Sequence, residues 1–237
     1  MNNSPDIVEV HDLLVTFSRW GQTVRAIDGM CLKIPAGQAL IVTGPNGSGK
    51  TTLLRVLSCL LAPEQGEVLI EGKPAGKLRP RDIANAVFHV HQDPLIGSVP
   101  TMTLFENLVL ADEEARLHRL NRKTLAARNR SLLLPLGLAE RLQQQAKTLS
   151  GGQRQILAIL IASLRPAKVI LLDEPLAALD ATNAGICLKL IGELKKLGKT
   201  IVYVTHDLNR VELFADRIVT LQDGRILSDH PAHESQK

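Results

Sequence analysis

Aromatic side chains are scarce, making up only 3% of the 237 residues, so any core must be built from Leu, Ile, Val and Ala. Cysteine is rarer still. Cys31, Cys59 and Cys187 are odd in number, far apart and without a C-x-x-C pair. That pattern speaks against a disulfide framework and against a thiolate metal site, and it reads as reduced thiols in a cytosolic protein. No long hydrophobic run is present: the longest clean stretch, residues 156–164, is far too short to cross a bilayer. The first six residues carry no basic and apolar signal pattern. If this chain works at a membrane, another chain is expected to do the crossing. Charge is mildly one-sided, +4 with a pI near 9.1. That balance suits an anionic ligand or the cytoplasmic face of a membrane. The basic residues are scattered, so no nucleic-acid partner is expected.

What the chain does have is a nine-residue stretch around which the rest is arranged. Gly44, Pro45, Asn46, Gly47, Ser48, Gly49, Lys50, Thr51 and Thr52 satisfy G-x-x-x-x-G-K-[ST] at every fixed position. An apolar run, 39–43, precedes it as a buried strand, and residues 53–57 follow as a helix. Strand, glycine loop and helix in that order are the context the motif requires. The glycines let successive N–H groups converge on phosphate oxygens, and the helix points its positive end at the same spot. Lys50 can reach the β- and γ-phosphates, and the Thr51 hydroxyl can ligate Mg²⁺. A nucleoside triphosphate with Mg²⁺ is the expected ligand.

Alternation at Leu13, Val15 and Phe17 predicts a half-buried strand over 7–17, and Met30, Leu32 and Ile34 predict another. Between them, 18–22 reads as a polar loop holding Trp20. That ring has two readings, a stack on an adenine or a lid over the small sheet's edge. Residues 68–70 predict a short strand, and 83–90 lead into a further one that stops at Pro94. From 95 to 149 strand signals vanish. Thr103 and Glu106 have the spacing of a capping box opening a helix through Leu110. Residues 112–130 are charge-rich with leucines at 117, 120 and 125, a solvated helical face broken by Pro135 and Gly137. A helix is expected from Ser150 through Leu164, a buried parallel strand over 168–172, and a helix over about 182–197 closed by Gly198. A strand over 200–205 and a short helix near 208–214 follow. Asp223-Gly224 marks a tight hairpin, and the tail 228–237 reads as polar and frayed.

Ligands in open α/β sheets sit at the carboxyl ends of strands, and Gly44, Gln92, Asp173 and His206 all follow expected strands. Asp173, after four apolar residues, is the acid expected to hold Mg²⁺. Glu174 beside it has no packing role and suits the orientation or deprotonation of an attacking water. Gln92 can ligate the metal through its amide oxygen, and His206 can donate to the γ-phosphate. Ser150, Gly151, Gly152 and Gln153 form a second anion-site pattern. A plain capping box between Ser150 and Gln153 competes with it, but two glycines in a first helical turn weaken the helix without serving the cap.

Laid out in this way, the chain resembles the ATP-binding subunits of ABC transporters along nearly its whole length. GPNGSGKT is similar to their Walker A, Gln92 to their Q-loop and LSGGQ at 149–153 to their signature. VILLDEP at 169–175 is similar to Walker B, Ala178-Leu179-Asp180 to the D-loop and His206 to the H-loop. Trp20 falls roughly where the family places its adenine-stacking aromatic. The resemblance implies an α/β P-loop NTPase (RecA-like) core with a small N-terminal antiparallel β subdomain and an inserted α-helical subdomain. The expected partition is a core of 1–92 and 166–227, a helical subdomain of about 93–165 and a tail of 228–237.

It also implies ATP hydrolysis in a head-to-tail homodimer, in which Ser150 and Gly152 touch nucleotide held by the other copy, with Asp180 a further nucleotide-binding residue. Integral membrane permease subunits would dock near 92–105, where Leu95, Ile96 and Val99 are apolar. The chain would sit in the cytoplasm, peripheral on the inner face of the cell membrane. The segment 92–103, with RQILAILIASL at 154–164, looks most like ATPases of tryptophan/tyrosine-type importers, which implies import of a small solute and an extracytoplasmic substrate-binding protein. His89 and His91 depart from that likeness. A non-transport assembly or signalling ATPase of the same family is the competing expectation.

Overall fold

The computed structural model describes residues 4–19, 22–112, 123–124, 126–127, 133–177, 179–211 and 214–232. These residues divide into two compact units, one formed by 1–89, 167–174 and 194–237, the other by 90–166 and 175–193.

The first unit holds two sheets. Strands β1 (Asp6–Arg19), β2 (Gln22–Pro35), β4 (Gln65–Ile70) and β5 (Lys73–Pro74) form an antiparallel sheet in the order β2-β1-β4-β5. The second sheet contains β3 (Ala39–Thr43), β6 (Val87–Val90), β7 (Val169–Asp173), β8 (Thr200–Val204), β9 (Arg217–Gln222) and β10 (Arg225–Pro231). Its order is β10-β9-β3-β8-β7-β6, with β9, β3, β8 and β7 mutually parallel and β10 antiparallel to β9. All five residues of β7 and of β8 are buried, which is why both read as unbroken apolar runs. The sheets share a core that includes Leu13, Ile27, Ile34, Leu40, Leu54, Leu171 and Val202. Full burial of each such side chain contributes about 1.5–3 kcal/mol. The phosphate-loop helix, α1 (Lys50–Leu57), adds Leu53, Leu54, Val56 and Leu57 to it.

Several expectations shift. The polar loop at 18–22 is a tight hairpin: β1 runs on to Arg19 and β2 starts at Gln22, with Ser18 paired to Thr23. Phe17, Ser18, Thr23 and Val24 are all exposed, so no alternation marks that end of the ribbon. Trp20 lies outside the described residues. Helix α2 (Pro80–Ala86) buries only Ala86, which left it without an apolar stripe to read. The expected frayed tail is strand as far as Pro231, because β10 is an edge strand whose residues are exposed or half-buried and therefore polar. Residues 233–237 lie outside the described chain. At 208–214, hydrogen-bonded turns join Leu208 to Val211 and Val211 to Phe214, with 212 and 213 outside the description.

The second unit is helical. Helix α3 (Leu104–Ala111) opens on the expected capping box: Thr103 Oγ1 accepts from the Glu106 N–H at 3.2 Å, and the Thr103 N–H donates to Glu106 Oε2 at 2.7 Å. Helix α4 (Gly151–Leu164) packs beside α3, burying Gln155 through Ala162. Helix α5 (Ala181–Lys196) ends as expected, with Gly198 at φ 76° donating to the Lys195 carbonyl. The leucines at 117, 120 and 125 lie outside the described residues.

Candidate functional site

The phosphate loop joins β3 to α1 in the first unit. Gly44, Gly47 and Gly49 have φ of 139°, 83° and 103°, values L side chains rarely adopt. For two of them the protein itself supplies a further reason. A Cβ on Gly44 would stand 2.1 Å from the Leu221 carbonyl oxygen, and one on Gly49 would stand 2.3 Å from that of Ala26. A Cβ at Gly47 would meet nothing within 4 Å. Lys50 is buried at 7% exposure, and its Nζ donates to the carbonyls of Gly44 at 2.7 Å and Pro45 at 2.9 Å. The ammonium is thus held inside the loop's own curve, where a polyphosphate would lie. Ser48 is buried too, and among the described residues its Oγ has no hydrogen-bond partner. A buried hydroxyl in that condition fits a phosphate oxygen as its missing acceptor.

Parallel pairing brings the tips of three strands level. Val204 lies opposite both Val42 and Asp173. Asp173 therefore ends β7 beside the loop, close enough to the Thr51 hydroxyl for that group to act on its carboxyl. Burial pushes the Asp173 carboxyl above its usual range and Glu174 adds to the rise, while Thr51 and Lys50 oppose it. A buried carboxylate beside a hydroxyl is a hard oxygen donor pair of the kind that suits Mg²⁺, which keeps several waters.

Glu174 follows in the left-handed region, φ 46°, with its N–H donating to the Val204 carbonyl at 3.1 Å. A non-glycine residue there costs about 1–2 kcal/mol, and such strain concentrates at functional sites. The turn swings its carboxylate to His206, with Oε1 3.2 Å from Nδ1. His206 is set by Thr205, whose Oγ1 accepts from the Asp207 N–H at 3.0 Å. The sequence placed Glu174 and His206 on one rim; it did not reveal that they pair, because the bend in the backbone leaves no mark in residue type.

In the second unit, Gln92 sits exposed in a bend after β6. Ser150 and Gln153 make both hydrogen bonds of the capping box, at 3.3 and 3.1 Å. The two glycines between them differ. A Cβ on Gly152 would stand 2.7 Å from Asn183 Nδ2, whereas one on Gly151 would meet nothing within 4 Å. Gly152 thus has a packing reason that sequence reading attributed to ligand alone. Asp180 caps α5, accepting from the Asn183 N–H at 2.9 Å and from Asn183 Nδ2 at 2.5 Å. Those bonds to Asn183 hold its carboxyl below the usual range.

Asn107 was not foreseen. It is 3% exposed, accepts from the Val99 N–H and donates to the carbonyls of Val99, Met102 and Thr103. An asparagine one turn after a capping threonine was the only available signal. It fixes the loop bearing Leu95, Ile96 and Val99, of which Ile96 is 62% exposed.

The family model described as ABC transporter matches residues 27–177, which include the phosphate loop, the 149–153 stretch and Asp173-Glu174. The chain belongs to the ABC transporter family. It is an ABC-type ATPase cassette, and both solved structures and sequence relatives are similar to it. The dimeric, post-hydrolysis ATP-binding cassette MJ0796 bound to ADP and Pi superposes with a TM-score of 0.81 at 28% identity, covering 95% of this chain and 98% of that one. CbiO1 from Clostridium perfringens, part of the transporter complex cbiONQ, gives 0.78 at 27% identity, covering 97% and 90%. The macrolide export ATP-binding/permease protein MacB of Hyphomonas neptunium is 36% identical over 95% of this chain. The chain spans only about a third (35%) of that exporter's length. The xylose/arabinose import ATP-binding protein XylG of Sulfolobus acidocaldarius is 33% identical over 94% of this chain and 87% of its own length. Among the described residues no helix is long and apolar enough to cross a membrane.

Proposed function

We propose that this cassette hydrolyses ATP as the motor of a transporter whose membrane-crossing parts are other polypeptide segments. The observation that carries the reading is the convergence of Lys50, the Thr51–Asp173 pair and the Glu174–His206 pair on one strand-end rim. In this reading residues 44–52 hold the triphosphate, with Lys50 moving from the loop carbonyls to the β- and γ-phosphates. Thr51 and Asp173, with Gln92, would hold Mg²⁺, which supplies charge neutralisation between the phosphates when bound. Glu174 orients and deprotonates the water, and His206 steadies Glu174 and donates to the γ-phosphate. Ser150, Gly151, Gly152, Gln153 and Asp180 serve nucleotide held by a second copy, so that each reaction centre is shared by two chains. Trp20 is proposed to stack on the adenine.

We further propose that the cassette sits peripherally on the inner face of the cell membrane and docks on permease subunits through the 92–105 loop. Relatives named for macrolide export and for sugar import match over nearly the whole chain, so direction rests on the likeness of 92–103 and 154–164. On that likeness we favour import of a small solute delivered by a separate binding protein. Lys50→Ala tests the first proposal: it is expected to abolish tight ATP binding, measured by nucleotide titration. Specific turnover tests the second, since it should rise with protein concentration if two chains form each site. Turnover independent of dilution, with one chain per particle, would refute the shared site. Co-purification with integral membrane proteins is expected; soluble partners only would refute the transport role.

A further inference from the structure

We propose that the turn Asp223-Gly224, backed by the Asp28–Arg225 ion pair, is a positioning element for the phosphate loop and sets its affinity for a triphosphate. This rests on the reading of residues 44–52 as the ATP-binding loop. Asp223 and Gly224, with φ of 48° and 77°, form the two-residue turn of the β9–β10 hairpin. Such a turn explains a glycine by itself. It does not explain where the backbone of this one points. The Gly224 N–H donates to the Ser48 carbonyl at 3.2 Å, and the Gly224 carbonyl accepts from the Asp28 N–H at 3.0 Å. Both polar groups of the turn glycine are therefore committed outside the hairpin, one to the phosphate loop and the other to β2.

Steric contacts follow the same line. Gly49 is packed so that its Cβ position lies 2.3 Å from the Ala26 carbonyl oxygen and 3.6 Å from Gly224 Cα. Gly44 abuts the Leu221 carbonyl of β9, the strand leading into the turn. The loop is thus clamped from behind at residues 44, 48 and 49, by β9, the turn and β2. The clamp is fastened by Arg225, whose Nε and Nη2 donate to Asp28 Oδ2 at 3.0 and 2.6 Å, while Arg25 holds Oδ1 at 3.0 Å. Asp28 is mostly buried, whereas Arg225 is largely exposed, so its removal leaves the core untouched. Lys50 Nζ, held by the Gly44 and Pro45 carbonyls, is bonded to none of these residues. They act on the loop's shape, and loop shape decides how well its N–H groups converge on phosphate oxygens.

Three variants of the full chain test this, each titrated with a fluorescent ATP analogue and with MgATP in steady-state hydrolysis. Gly224→Ala puts a methyl 3.0 Å from the Ala26 carbonyl at a positive φ and must displace the turn. It is expected to raise the dissociation constant and KM about tenfold, and Arg225→Ala about threefold, with kcat at saturation changed less than about twofold. Arg225→Lys should recover part of the loss, and the melting temperature without nucleotide should move by only a few degrees for either Arg225 variant. If Gly224→Ala does not fold, the Arg225 pair decides. Unchanged affinity in Arg225→Ala beside an ATP-binding parent overturns the proposal, and so does a fall in melting temperature with no change in KM. A parent chain that fails to bind ATP overturns the reading of the loop itself, a different and separately visible result.

Discussion

Replacing Glu174 by Gln isolates the proposed base from everything else the residue does. The left-handed backbone at φ 46° costs the same for either side chain, and the hydrogen bond from its N–H to Val204 is retained. The amide oxygen can still accept from His206 Nδ1, now 3.2 Å from Oε1. What is lost for folding is one charge-assisted contact to a ring that is 68% exposed. Such a contact is worth no more than about 1 kcal/mol, or roughly 2–4 °C in melting temperature for a chain of this size. What is lost for catalysis is the proton acceptor, and a positioned base contributes about 10²–10⁴ in rate, roughly 3–5 kcal/mol of barrier. The two effects differ severalfold and are read by different instruments. Phosphate release at saturating MgATP should fall by at least about a hundredfold. Nucleotide binding should persist, and size-exclusion chromatography with ATP should show an accumulated dimer. Turnover within tenfold of the parent, with binding intact, would refute the assignment of Glu174 as base.

Gly152→Ala is expected to destabilise the chain, because its methyl meets the Asn183 amide at 2.7 Å. In an Asn183→Ala background the cost should shrink, because of the three close contacts only the one to Cβ at 3.1 Å remains; a thermal double-mutant cycle reads it. Thr103→Ala removes the capping-box acceptor for the Glu106 N–H and should cost about 1 kcal/mol in urea unfolding. Burial pushes the Cys187 thiol from 9.0 up to about 12. The unfolded thiol then loses its proton before the folded one, so this group's share of stability is intact below about pH 9 and declines between pH 9 and 12. Relative to Cys187→Ala, the parent should lose about 1 kcal/mol more on going from pH 8 to pH 10; equal slopes would contradict the burial argument.

The core strands were legible because β7 and β8 are buried throughout, and β3 at all but its last residue, so that they read as apolar runs. The phosphate loop, the capping boxes at Thr103 and Ser150, the Gly198 stop and the Asp223-Gly224 turn were legible because each depends on local chemistry between near neighbours. What escaped depends on distant partners. Residues 228–231 form strand only because β9 lies alongside. Ser18 and Arg19 do so only because β2 returns directly. Gly152 answers to Asn183, Gly44 to Leu221 and Gly49 to Ala26, and none of those pairs is near in sequence. The Glu174–His206 pair belongs with them, since both ends were visible and the bend joining them was not.

The level ends of β3, β7 and β8 bear on how this chain can change over time. With all five residues of β7 buried and Asp173 opposite Val204, no position in that strand has a wet side to absorb an error. Deleting one residue between 169 and 172 would draw the acid a step inward among aliphatic neighbours and invert every side chain before it. Length variation among descendants should therefore be confined to the connecting loops, while these three strands keep a constant residue count even as their aliphatic side chains are exchanged.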